Sequence, residues 1–213
     1  SEVIFMVKKK RINKKPVLIM VVILMLISLG SFYIASTHQN DVEAYQVEGL
    51  PIQHQFLTIN PYSRSGKSLH RVNGIVIHYT ANPGSTAQDN RDYFNGLQYS
   101  GQTEASSNFI VGLDGEIIQC VPTWEIAYAS NERNADTVSI EVCHPDETGK
   151  FTDATYRSLV QLTAWLCVKF DLKEDQIIRH YDVTGKNCPK YFVENEDAWE
   201  MFKDNVWDAV QKK

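Results

Sequence analysis

Three side chains that can bind a soft or borderline metal stand in two distant parts of this 213-residue chain. His78 closes the apolar run "GIVIHYT" (74–80), and "IIRHYDVTGKNCPK" (177–190) carries His180, Lys186 and Cys188. A His, His, Cys set with an open fourth position is the donor set of a catalytic zinc, which brings the pKa of a bound water close to neutral. An ammonium such as that of Lys186 can balance negative charge on a reacting oxygen. Spacing leaves a plainer reading open, because about a hundred residues separate the two histidines and no local signature joins them. Each could equally be a hydrogen-bonded core or surface histidine. Cys188 lies among polar, turn-forming residues where packing does not account for it, whereas Cys167 in "LTAWLCVKF" reads as a small core residue.

Positioning these groups requires a sheet. "VNGIVIHYT" (72–80) is a short β-branched run of the kind found in a buried central strand. "SNFIVGLDGEIIQCVP" (107–122) is two apolar runs around Asp-Gly, a hairpin signal. "TVSIEVC" (137–143) alternates as a strand does, and "QIIRHY" (176–181) reads as a last strand ending at His180. "TAQDNRDYFNGLQ" (86–98) opens on a candidate N-cap threonine and brings Tyr93, Phe94 and Leu97 near helical spacing. "TDATYRSLVQLTAWLCVKF" (152–170) is capped the same way, and "DAWEMFKDNVWDAVQ" (197–211) puts Trp199, Phe202, Val206 and Val210 on one face. The class that follows is α/β, a central mixed sheet flanked by helices. The length suits one catalytic domain, taken as 71–213, behind a linker and irregular arm at 36–70.

Charge is uneven. Six of the 21 basic residues sit in "KKKRINKK" (8–15), and only Glu2 of the 26 acidic residues precedes position 36. The part beyond is acidic, which excludes a nucleic-acid backbone as partner. Residues 16–35, "PVLIMVVILMLISLGSFYIA", carry no charge and as a helix would span roughly 30 Å of hydrocarbon. With residues 1–15 as a basic cytoplasmic segment, this is a transmembrane anchor that exports the rest. A cleaved signal is the alternative, since "IAS" (34–36) resembles a cleavage site. Four cysteines are too few for a disulfide scaffold.

Four blocks in order, "GIVIHYTANPGSTAQDNRDYF", "SNFIVGLDGEIIQCVP", "VSIEVCHPDETGKF" and "RHYDVTGKNCP", resemble the zinc-dependent N-acetylmuramoyl-L-alanine amidases of the amidase-2 type. That group includes phage lysozyme-like amidases and is similar in fold to peptidoglycan recognition proteins. The resemblance covers about residues 70–190 and implies a Zn2+ held by His78, His180 and Cys188. It further implies Lys186 as oxyanion stabiliser and Glu141, in "SIEV", as the base that takes a proton from water and returns it to the leaving amine. Its substrate is peptidoglycan, cut between N-acetylmuramic acid and L-alanine by a monomer outside the cytoplasm. Asn108, Trp124 and Tyr128 are candidate substrate contacts, although the two aromatic rings suit wall packing equally well. Asp182 is either an acceptor orienting His180 or a turn cap. One departure stands out: Ser107 occupies the place of a tyrosine found in phage-type members. Two other functions are the alternatives, a non-hydrolytic peptidoglycan-binding module and a zinc peptidase acting within the stem peptide. The presence of Cys188 speaks against the first, and the lack of an "HExxH" signature against the second.

The full chain should fractionate with membranes and expose its C-terminal part to protease added to wall-stripped cells. Recovery from the medium with an amino terminus near position 37 would instead mark residues 16–35 as a cleaved signal.

Overall fold

The computed structural model describes residues 50–211. The anchor expected at 16–35 lies outside the described residues, and among those described no helix is long and apolar enough to cross a membrane. All of them belong to one compact unit, Gln46–Lys213.

Six strands form one mixed sheet: β1 (Ile52–His54), β2 (Gly74–Ile77), β3 (Phe109–Val111), β4 (Ile117–Gln119), β5 (Thr137–Val142) and β6 (Ile177–Arg179). Their order is β1-β4-β3-β5-β2-β6. Only the β3–β4 hairpin is antiparallel; the other neighbours run parallel. The hairpin turns at the expected Asp-Gly, and Gly115 there has φ +85°. β2 is buried along its whole length, as a parallel strand covered on both faces must be, which is why its sequence is an unbroken apolar run. At its start Gly74 has no room for a side chain: a Cβ there would meet the Gln176 carbonyl oxygen at 2.9 Å.

Helices cover both faces: α1 (Ala87–Ser100), α2 (Asp153–Phe170), α3 (His180–Thr184), α4 (Lys190–Glu194) and α5 (Glu196–Gln211). Alternation along β3 separates two layers. Ile110 joins a cluster with Ala87, Phe94 and Leu97 of α1, while Phe109 meets Trp165 of α2 edge-on at 6.4 Å between ring centroids. α2 packs on α5, where Trp199, Phe202 and Phe192 of α4 stack together. Thr86 caps α1 with Asp89 reciprocating, and Thr152 caps α2. The buried stripe of α1 is Asn90, Phe94 and Leu97. Tyr93, expected with them, is 53% exposed, because it lies at the edge of that stripe, roughly a fifth of a turn from its middle.

Two expectations change, and one left open is decided. Residues 50–70 are not an irregular arm alone: β1 adds a strand parallel to β4. Arg64 also clamps Glu125 through two hydrogen bonds of 2.7 Å, with both side chains largely buried. Breaking such a pair from one side leaves a buried charge and typically costs about 3–5 kcal/mol. The second change is that β6 stops at Arg179, so His180 opens α3 rather than ending a strand. The open one is Asp182, which accepts from the Arg179 backbone N–H at 2.8 Å and grips its guanidinium. It is therefore a turn cap and no partner of His180. Arg179 reaches onward to the Phe192 carbonyl and to Glu196, tying β6 to α4 and α5.

Candidate metal centre

The pairing of β2 with both β5 and β6 builds the site. Ile77 pairs with Ile140 on one side and with Arg179 on the other, and the His78 N–H donates to the Ile140 carbonyl at 2.9 Å. One step further, that register sets His78 level with Glu141 on a common face of the sheet, and His180, the first residue after β6, lies with its ring centroid 4.6 Å from that of His78. Cys188 arrives by the turn after α3. Gly185 ends that helix with φ +76°, the Cys188 N–H donates to the Lys186 carbonyl at 2.7 Å, and the Cys188 carbonyl accepts from the Tyr181 N–H.

His78, His180 and Cys188 are all buried and each offers a ligand atom, these atoms lying within 4.8 Å of one another. Cys188 Sγ is 3.8 Å from His78 Nδ1, and the two imidazole centroids are 4.6 Å apart. The outer nitrogens are engaged elsewhere: His78 Nε2 with Ser130 Oγ at 3.0 Å and His180 Nε2 with Asn131 Oδ1 at 3.1 Å. His180 Nδ1 is sealed from solvent with no hydrogen-bond partner among the described residues. Two imidazole Nδ1 atoms and a sulfur converging from three directions fit the donor chemistry of zinc.

The electrostatics favour neutral ligands awaiting a cation. Burial, aided by the neighbouring His180 and Lys186, holds the His78 pKa well below its usual value. His180 is lowered by burial and by Lys186, with Glu132 opposing. Both imidazoles therefore keep a lone pair at neutral pH. Burial, with Glu141 adding, pushes the Cys188 thiol up to about 12, against the Tyr79 backbone N–H and Lys186. A bound divalent cation reverses that balance and takes the thiolate. Burial also raises Glu141 to about 8, with Lys186 opposing. Glu141 as a residue is half-buried, yet its Oε2 is sealed and unpartnered among the described residues. The oxygen decides its chemistry, and a solvent-facing strand glutamate is not what stands here.

Lys186 is exposed at the rim, close enough to act on both histidines, Glu141 and Cys188 through its charge. Trp124 and Tyr128 are half-buried on the segment that leads from β4 to Ser130. Asn108 does not fit a substrate contact. It is fully buried, its Nδ2 facing the carbonyls of Val121, Pro122 and Glu125 and its Oδ1 accepting from Ser139, so it is a knot joining β3, β5 and the segment after β4. Ser107 is likewise buried, donating to the Phe109 carbonyl. Sequence reasoning missed Ser130 and Asn131, which nothing in "SNERNADT" marks beyond its Asn and Ser content. His144, in the loop that follows β5, is buried and stacks on Tyr79 at 5.0 Å.

A family model described as N-acetylmuramoyl-L-alanine amidase (Amidase_2) matches residues 68–191. A probable N-acetylmuramoyl-L-alanine amidase of Bacillus licheniformis is 34% identical over 170 residues, covering 74% of this chain and 48% of that protein. The N-acetylmuramoyl-L-alanine amidase BlyA of Bacillus subtilis (strain 168) is 33% identical over 172 residues, covering 71% and 45%. The chain thus spans about half the length of the curated relatives it matches. Among solved structures, a mutant endolysin from Bacillus subtilis superposes with a TM-score of 0.62 at 23% identity, covering 74% of this chain and 99% of that one. The Staphylococcus aureus hydrolase AmiA, in complex with its ligand, gives 0.59 at 18% identity, covering 81% and 89%. At such identities these likenesses speak to the fold.

If the three donors hold one ion, the purified chain should carry about one zinc, and His78→Ala and Cys188→Ser should each lose most of it. Metal analysis of the variants checks this. Full occupancy in His78→Ala would remove His78 from the ligand set.

Proposed function

The chain belongs to the N-acetylmuramoyl-L-alanine amidase family, and on that premise we propose that it is a zinc-dependent peptidoglycan hydrolase. It cuts the amide between N-acetylmuramic acid and the L-alanine of the stem peptide. The observation that carries this reading is the convergence of His78, His180 and Cys188 beside a sealed, unpartnered carboxylate oxygen of Glu141. Those three residues would hold a Zn2+ ion, which when bound polarises the scissile carbonyl and acidifies water.

The chain's own groups supply the rest. Glu141 takes a proton from the attacking water through its carboxylate as the new C–O bond forms, and passes it to the nitrogen of L-alanine as the C–N bond breaks. Burial by itself raises the Glu141 carboxyl to about 8, and a cation held beside it would favour the ionised form that accepts a proton. The Lys186 ammonium at the rim balances charge on the carbonyl oxygen in the tetrahedral stage. Trp124 and Tyr128 contribute aromatic faces on the segment leading to the site, suited to stacking on a sugar ring. Because the polymer lies outside the cytoplasm, the enzyme works there as a monomer, with residues 16–35 as its membrane tether.

Digestion of purified cell wall should release new L-alanine amino termini and leave the glycan strands intact; new reducing ends would overturn the reading. Glu141→Gln should keep its zinc and its melting curve while turnover falls by about 10²- to 10⁴-fold. Turnover within about threefold of the parent would strip Glu141 of the proton-transfer role.

A further inference from the structure

Ser130 and Asn131 are adjacent in the chain, and each faces a different imidazole. Ser130 Oγ meets His78 Nε2 at 3.0 Å and Asn131 Oδ1 meets His180 Nε2 at 3.1 Å. An amide oxygen only accepts, so the His180 proton resides on Nε2 and the lone pair on Nδ1. That Nδ1 is the atom sealed in the site without a partner among the described residues. Ser130 Oγ can accept from His78 in the same way, leaving His78 Nδ1 free to face Cys188 Sγ.

The turn that presents them is built for the purpose. Asn131 adopts φ 53°, a left-handed conformation that a non-glycine residue takes at some cost and that Asn tolerates better than most. The Asn134 side chain holds it there, its Oδ1 accepting from the backbone N–H groups of Ala129 at 3.0 Å and Ser130 at 2.6 Å. The turn Asn131–Ala135 packs against both α3, which opens on His180, and β5, which carries Glu141, so its position is set by elements that build the site.

We propose that the Ser130–Asn131 pair is a positioning device that fixes the tautomer and ring orientation of His78 and His180 together, so that both present Nδ1 to a metal. This rests on the zinc reading of the site. In this role they act through the histidines, with which each shares a hydrogen bond. Partners of this kind typically change metal affinity by about 10- to 100-fold.

The test compares the full chain with Asn131→Gly and Asn131→Asp. Glycine removes the acceptor yet accepts the positive φ without strain, and aspartate restores an acceptor oxygen. Zinc dissociation constants are measured by competition with a chromophoric chelator, and imidazole 15N shifts are recorded on the metal-free chain. Asn131→Gly should bind zinc about 10- to 100-fold more weakly, with its metal-free melting curve kept. The parent's His180 should show a pure Nε2–H signature, and Asn131→Gly should lose it. Asn131→Asp should return both readouts to the parent's. Zinc binding by Asn131→Gly within about threefold of a tightly binding parent overturns the positioning role and leaves the metal reading standing. A parent that binds no zinc overturns both.

Discussion

The site depends on one pairing constraint, the register of β2 held between β5 and β6. Ile77 is opposite Ile140 and Arg179 at once, and the His78 N–H continues that ladder to the Ile140 carbonyl. Because side chains alternate with a period of two, a slip of one residue would turn His78 to the other face and separate it from Glu141 and His180. Burial enforces the register. Ile75, Val76 and Ile77 have no exposed surface, and Gly74 leaves no space for a shifted side chain against Gln176.

A second consequence of that burial is electrical. A sheet edge with its flanking helices and turns excludes water from the donors, so every charged form is disfavoured: the imidazoliums of His78 and His180, the thiolate of Cys188 and the carboxylate of Glu141 are all suppressed primarily by desolvation. Lys186 sits outside at the rim and acts on all four through its charge. A cavity that penalises protons on nitrogen and negative charge on sulfur or oxygen suits a divalent cation, which relieves the second penalty while using the lone pairs the first one frees.

The sheet was legible where local chemistry agrees with tertiary structure. The β-branched run into His78, the Asp-Gly hairpin and the threonine caps at Thr86 and Thr152 each carry their own signal, and each forms as expected. The three candidate donors stood out through residue types and ordered blocks, and the fold brings their ligand atoms within 4.8 Å of one another. What stayed hidden is non-local. β1 has three residues and a half-exposed pattern, too short for periodicity, and it exists because β4 offers an edge. Arg64 finds Glu125 at a separation of 61 residues. Asn108 looked available beside the hairpin, but its amide is consumed by three carbonyls of a segment that the strand pattern does not reveal. Ser130 and Asn131 meet histidines 52 and 49 residues away, contacts that no spacing rule anticipates.

X-ray absorption at the zinc edge of the purified chain tests the central claim most directly. The account predicts a first shell with one sulfur at about 2.3 Å and two imidazole nitrogens at about 2.0–2.1 Å, the sulfur vanishing in Cys188→Ser. A shell with several sulfurs, or with none in the parent protein, would contradict it.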